Sequence, residues 1–158
     1  MFRELTRKNK EISFDECVEI LINEKRGVLS VLGDGGYPYG MPMNHFYCID
    51  DGCVYFHCGK SGHRLDSLKT DDKASFCVYD GGFRNENDWA LNIRSVIVFG
   101  KIEIIEDIDI IVDVSAKLSR KFTGDEEYIQ KEIKSFSEKT LLLKLVPEHI
   151  CGKKVKEA

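Results

Sequence analysis

Lys60, Ser61, His63 and Arg64 fall within residues 60–64, inside the stretch "FHCGKSGHRLDSL" that runs from Phe56 to Leu68. A strand-like run ends there, a small basic loop follows, and Leu65 and Leu68 then take the spacing of a short helix that "KTDD" ends. Ser61 reads as the N-cap of that helix. A helix start exposes unpaired backbone N–H groups and the positive end of its dipole, which suits an anion. Lys60, His63 and Arg64 add positive charge, the Ser61 hydroxyl adds a donor, and Gly59 and Gly62 let a ligand approach the backbone closely. The chemistry these residues could do together is to seat a phosphate ester. Taken singly, each belongs as readily to a solvated surface, and Ser61 to a plain helix cap.

Strand parity names the neighbours of that seat. A turn at "IDDG" puts Asn44, Phe46 and Cys48 on the same face as Cys53, Tyr55 and His57, and Pro42 joins that face at its far end. Pro42, Asn44 and His57 are therefore expected to line one wall beside "GKSGHR". Cys48, Cys53, His57 and Cys58 match no standard zinc spacing, and the six cysteines, which form no C-x-x-C pair, read as small buried hydrophobes. No metal is expected.

The elements that must hold these groups follow from periodicity. "ISFDECVEILINEK" carries Ser13 and Glu16 as a capping box, with Cys17, Ile20 and Leu21 at helical spacing, which predicts a helix over 14–24. "GVLSVLG" and "YPYGMPMNHFYCI" form a hairpin across "DGG"; "CVYFHC", "KASFCVYD" and "RSVIVFGKIEIIE" add strands. Two helices are expected to follow, through Ile108, Ile111, Val112 and Ser115 and then Ile129, Ile133 and Phe136. "TLLLKLVPEHI" reads as a last strand ended by Pro147. The pattern is mainly β, an antiparallel barrel or sandwich with flanking helices. One domain over 1–158 is expected, with a helical region at 1–26 and a loose tail at 152–158.

A net charge of -4, with acidic residues concentrated in the second half and basic ones at both ends, disfavours nucleic-acid and anionic-membrane partners. No run approaches the roughly 20 apolar residues of a membrane span and no apolar signal core opens the chain, so a cytoplasmic location is expected. "GDGGYP" lies between two strands, so it is no dinucleotide fingerprint, and no P-loop motif is present.

"MFRE", "YPYGMPMNHFYC", "CVYFHCGKSGHRLDSLKTDDKASFCV" and "RSVIVFGKIEII", in that order, resemble the flavin-binding split barrels related to pyridoxamine 5′-phosphate oxidase, and among them the nitroimidazole-resistance proteins. The resemblance runs from about residue 1 to residue 154. It implies a six-stranded antiparallel split β-barrel that forms a homodimer and binds FMN between subunits. It places the phosphate on Lys60, Ser61, His63 and Arg64, and the isoalloxazine against Pro42, Met43, Asn44 and His57, with Ser95 and Arg94 helping from the long strand. It further implies an oxidoreductase that passes electrons from reduced FMN to a small acceptor such as a nitroaromatic, with NAD(P)H or a protein as donor. A flavin-storing or sensing protein is the alternative; a haem-binding relative would leave the phosphate seat unexplained. The carboxyl-terminal "PEHICGKKVKEA" lacks the arginine-x-histidine ending that holds pyridoxal in the oxidases, which argues against vitamin B6 oxidation. No residue is assigned as a catalytic base. Phe83 and Trp89, in "GGFRNENDW", are placed either over the pocket or as packing anchors.

Overall fold

Ser13 and Glu16 close the predicted capping box. The Glu16 N–H donates to Ser13 Oγ (3.2 Å), and the Ser13 N–H donates to the Glu16 carboxylate (2.9 Å). Helix α1, Phe14–Asn23, starts from it and buries Cys17, Ile20 and Leu21. The computed structural model describes residues 1–157.

Strand β1 (Arg26–Leu32) turns through Gly35 and Gly36, both at positive φ, into β2 (Pro38–Asn44). His45 then breaks the extended run, and β3 (Phe46–Cys48) pairs with β4 (Cys53–Gly59) across a turn made by Gly52. Helix α2 (His63–Thr70) leads to β5 (Lys73–Tyr79) and the long β6 (Leu91–Ile105). Helices α3 (Ile108–Arg120) and α4 (Glu126–Phe136) precede β7 (Thr140–Glu157).

All pairings are antiparallel, in the order β2-β1-β5-β6-β7-β4-β3. The two edge strands, β2 and β3, are separated in the chain by His45 alone, so the sheet has to curl until its edges meet. The result is a barrel with a mainly antiparallel sheet and four flanking helices. Seven strands appear where six were expected, because the bend at His45 cuts one predicted strand into two that belong to opposite edges. Past the bend, no ladder joins β2 to β4 among the described residues, and the barrel is split there.

Leu29, Val31, Val54, Phe56, Phe76, Val78, Val96, Val98, Leu143 and Leu145 fill the interior, joined by Leu21 of α1 and by Leu65 and Leu68 of α2. Outside the barrel, Ile111 and Val114 of α3 cover Cys53, Tyr55 and Leu142. No helix is long and apolar enough to cross a membrane among the described residues.

The last strand departs from expectation. Pro147 does not end it, and residues 152–157 of the tail expected to be loose pair with β6 as far as Leu91↔Glu157, residue 158 lying outside the described residues. The register shifts between Phe99 and Gly100, and Pro147 sits opposite Gly100, where a Cβ would overlap the Val146 carbonyl. A bulge of this kind tolerates the missing proline N–H.

His45 is fully buried at the bend. Its Nε2–H donates to the Leu21 carbonyl (2.8 Å), its own carbonyl accepts from Lys121 Nζ (3.1 Å), and its ring meets Phe76 edge-on. Burial first, and then the Lys121 charge, lower its pKa to about 4. The folded-state value lies below the unfolded one, so this contribution is full above about pH 6.5 and is lost as pH falls toward 4. About 3 kcal/mol of stability should disappear over that window. Urea midpoints of the wild type should fall more steeply with acid than those of His45→Gln, which keeps the donor and does not titrate. Parallel slopes for the two proteins would remove His45 from the account.

Candidate functional site

The seat is built where the barrel splits. Gly62, at φ +126°, is the residue that precedes α2, and it supplies no side-chain cap. Ser61 is therefore not the N-cap; the helix begins one residue later than a serine cap requires, and the Ser61 hydroxyl is left exposed beside Lys60. The first-turn N–H groups of α2 remain open to a ligand. No heavy atom stands within 4 Å of a Cβ built at Gly59 or Gly62, so the backbone can be approached on both sides of the loop.

Arg64 reaches from α2 into the split. One guanidinium nitrogen donates to Met43 Sδ on β2 (2.8 Å) and the other to Cys58 Sγ on β4 (3.5 Å). Its Nε is buried with no partner among the described residues. Sulfur is a weak acceptor, and a half-buried guanidinium held only by two sulfurs lacks the carboxylate that such a group normally finds. His63 stacks on Tyr39 of β2 (4.3 Å between rings), with Nε2 3.5 Å from the Asp34 carboxylate. Lys60, Ser61, His63 and Arg64 thus sit at one mouth, next to Met43. A phosphate fits this donor set, and the orphaned Nε is the observation that favours one.

Phe46 pairs with Tyr55 and Cys48 with Cys53, as parity requires, and all four pack on the outer face beneath α3. Pro42 and Asn44 keep the same parity on β2, where both are exposed. The bend nevertheless divides the expected wall. Pro42 borders an open cleft with Val28, Tyr79 and Asp80, whereas His57 faces a separate cavity under α3 and α4. His57 Nε2 lies 2.8 Å from Ser115 Oγ, and burial lowers its pKa, which keeps the ring neutral at neutral pH. Cys58 points into the barrel and Cys53 out of it, so the cysteines near His57 do not converge, and no cluster of three or more metal-ligating side chains occurs among the described residues.

Arg94 and Ser95 lie elsewhere. Arg94 is held by Asp80 (2.8 Å) and by Glu19 of α1 (3.0 Å), with the Asp80 carboxylate also accepting the Arg94 backbone N–H (2.9 Å). Burial alone would raise the Asp80 carboxyl, but the Arg94 side chain and the backbone N–H groups of Arg94 and Gly82 lower it overall. The Arg94 guanidinium is thereby committed to tying α1 to the β5–β6 connection. Ser95 pairs with Tyr79 and Lys153 on the outer face, three strands from β2, which is about 14 Å within one chain. Trp89 is 74% exposed beside Val155 and Lys156, and Phe83 bridges to Asn92; neither borders the seat or the His57 cavity.

Sequence reasoning missed Ser115 as a partner of His57 and Tyr39 as the stacking surface for His63. In sequence Ser115 is one position on a helical face, and its polarity within that apolar stripe is the available signal.

The family model for pyridoxamine 5′-phosphate oxidase matches residues 13–154. A conserved hypothetical protein from Mycobacterium tuberculosis has the same fold, with a TM-score of 0.80 at 18% identity over 95% of this chain and 90% of that one. A candidate 5-nitroimidazole antibiotic resistance protein from Bacteroides thetaiotaomicron gives a TM-score of 0.76 at 19% identity, covering 93% of this chain and 87% of that one. A FAD-binding protein from Mesorhizobium loti gives 0.65 at 20% identity, covering 92% and 97%. No curated protein matches the chain.

Proposed function

Because the chain belongs to the pyridoxamine 5′-phosphate oxidase family, we propose that it is an FMN-binding flavoprotein that seats the cofactor phosphate at the start of α2. Arg64 carries this reading: among the described residues its Nε is buried without a partner and its other hydrogen bonds end on sulfur. Lys60 supplies a second cation, and the exposed Ser61 hydroxyl and the first-turn N–H groups supply neutral donors. The flavin-binding neighbour from Mesorhizobium loti supports the cofactor class through its shared fold.

Pro42, Met43 and Asn44 hold one side of the isoalloxazine from β2. Ser95 is too far away to help in the same chain, and this motivates a homodimer. The outer faces of β2, β1, β5 and β6 carry Pro42, Val28, Cys77 and Ile97 in one lateral row, and Val28 is 40% exposed. A second copy packed there covers apolar surface and brings its own Ser95 toward the first copy's β2. FMN supplies reversible two-electron chemistry; the chain supplies position and charge. The activity proposed is electron transfer from NAD(P)H or a protein donor, by way of FMN, to a small acceptor such as a nitroaromatic.

An absorbance spectrum of the purified protein, repeated after FMN is added and the excess removed, tests the cofactor. Flavin bands that survive removal are expected, and dilution should release FMN together with subunits. A protein that stays colourless after FMN addition removes the reading. Turnover of a nitroaromatic with NAD(P)H separates an oxidoreductase from a flavin store.

A further inference from the structure

Cys48 closes β3 and Cys53 opens β4, and the two stand directly opposite each other at the turn end of that hairpin. Both side chains lie on the outer face, in the cluster that holds Tyr55, Ile111 and Val114. Opposed residues of an antiparallel pair have Cα atoms about 4.5–5.5 Å apart, which is inside the roughly 4.4–6.8 Å range that a disulfide spans. Among the described residues no other two cysteines are register partners. Cys77 and Cys151 face Ile97 from its two sides, which puts two strand spacings, about 9.5 Å, between them, too far to bridge. Cys58 is as near to Cys53 in sequence as Cys48 is, but it points into the barrel.

The surroundings give the two sulfurs different tasks. Cys48 is half-buried and is followed by the exposed turn that starts at Ile49, 71% exposed, so a reagent can reach it. Cys53 is 4% exposed, and its thiol donates to the Asp51 carbonyl oxygen (3.5 Å). Burial first, and then the Asp51 charge, push that thiol up to about 11, which makes it a poor first nucleophile. Cross-strand Cβ atoms stand about 4.5–5.5 Å apart, whereas a relaxed disulfide wants about 3.5–4.5 Å, so the bond pulls the strands together and is easily reduced. The three-residue β3 pairs only with β4 and ends the sheet, so it can take up that shift without moving the barrel interior.

We propose that Cys48 and Cys53 are a reversible thiol–disulfide pair, oxidised by low-molecular-weight disulfides that enter at Cys48. The Cys48 thiolate attacks one sulfur of the small disulfide, and the other half leaves as a thiolate. Cys53 Sγ then attacks Cys48 Sγ, forming the cross-strand bond and releasing the second half. The protons of the two cysteines go to the two released thiolates, so the small disulfide gains two electrons and the pair loses two. This chemistry needs no flavin.

The test incubates the reduced full chain with glutathione disulfide, quenches with iodoacetamide and digests with trypsin and then Asp-N. Trypsin leaves residues 27–60 as one peptide, and Asp-N cuts it between the two cysteines, at Asp50 and Asp51. A Cys48–Cys53 bond then appears as two linked fragments, and it should exceed the Cys53–Cys58 bond by about tenfold or more in the folded protein. In urea the two bonds should form in comparable amounts, because they close loops of equal length. Millimolar reduced glutathione should reopen the folded protein's bond. Cys53→Ala should instead keep glutathione on Cys48, and Cys48→Ala should leave Cys53 unmodified. The idea is overturned by any of four results: no Cys48–Cys53 bond, equal amounts of the two bonds in the folded protein, a bond that reduced glutathione leaves intact, or no adduct on Cys48 in Cys53→Ala. The wild-type digest is decisive even where a variant folds poorly.

Discussion

Replacing Arg64 and Lys60 together by alanine is expected to weaken FMN binding by about 3–6 kcal/mol, since each charge-assisted bond to the phosphate contributes about 1.5–3 kcal/mol. The companion result distinguishes a binding role from a structural one. Among the described residues the Arg64 side chain donates only to Met43 Sδ and Cys58 Sγ and leaves Nε buried without a partner. Removing it relieves the cost of a half-buried cation while losing the packing of its stem, and these effects oppose each other. Thermal melting of Arg64→Ala without ligand should therefore stay close to the wild type while FMN affinity collapses. A large fall in melting temperature with unchanged affinity would make Arg64 a structural residue and move the phosphate elsewhere. Arg64→Lys keeps the charge but loses the planar fork, and it should recover only part of the affinity.

Phe56→Ala should lower stability by about 3–5 kcal/mol, the usual cost of emptying a buried aromatic site. Phe56 is fully buried and meets Phe76 edge-on, with 4.9 Å between ring centroids. It lies on β4 between Tyr55 and His57, so it anchors from inside the strand that carries His57 outside. For a chain of this length the melting temperature should fall by roughly 8–15 °C. Trp89→Ala, at an exposed loop position, should change stability by no more than about 0.5 kcal/mol. Similar losses for the two variants would mean that the barrel interior is not the main source of stability.

What could be read from sequence was mostly local. The Ser13–Glu16 box marks α1 because both partners lie within one turn, and the "DGG" and "DDG" turns mark hairpins because glycine alone takes those φ values without strain. Parity carried Phe46 and Cys48 to the face of Tyr55 and Cys53 because a tight turn fixes the register. The failures share a cause, which is that the deciding residue lies elsewhere in the chain. Pro147 continues β7 because Gly100, on another strand, leaves room for it. Arg94 has its own carboxylate partners because Glu19, on α1, and Asp80 reach it.

The candidate site shows the same division. The loop "GKSGHR" announces its charge and its small residues, and Lys60, His63 and Arg64 do gather at the start of α2. The cap was misplaced because Ser61 and Gly62 are adjacent and only the backbone decides which one precedes the helix; Gly62 takes the position at φ +126°. The division of the wall between Pro42 and His57 had no local signature. His45 looks like any strand residue in sequence, and its contacts with Leu21, Phe76 and Lys121, which hold the bend, all come from distant segments.

The phosphate seat is tested most directly by titrating the flavin-free protein with FMN and, separately, with riboflavin, which differs by the phosphate alone. The account predicts saturable FMN binding and riboflavin binding weaker by about a hundredfold or more, equivalent to about 3 kcal/mol. Equal affinity for the two, or no binding of either, would contradict it.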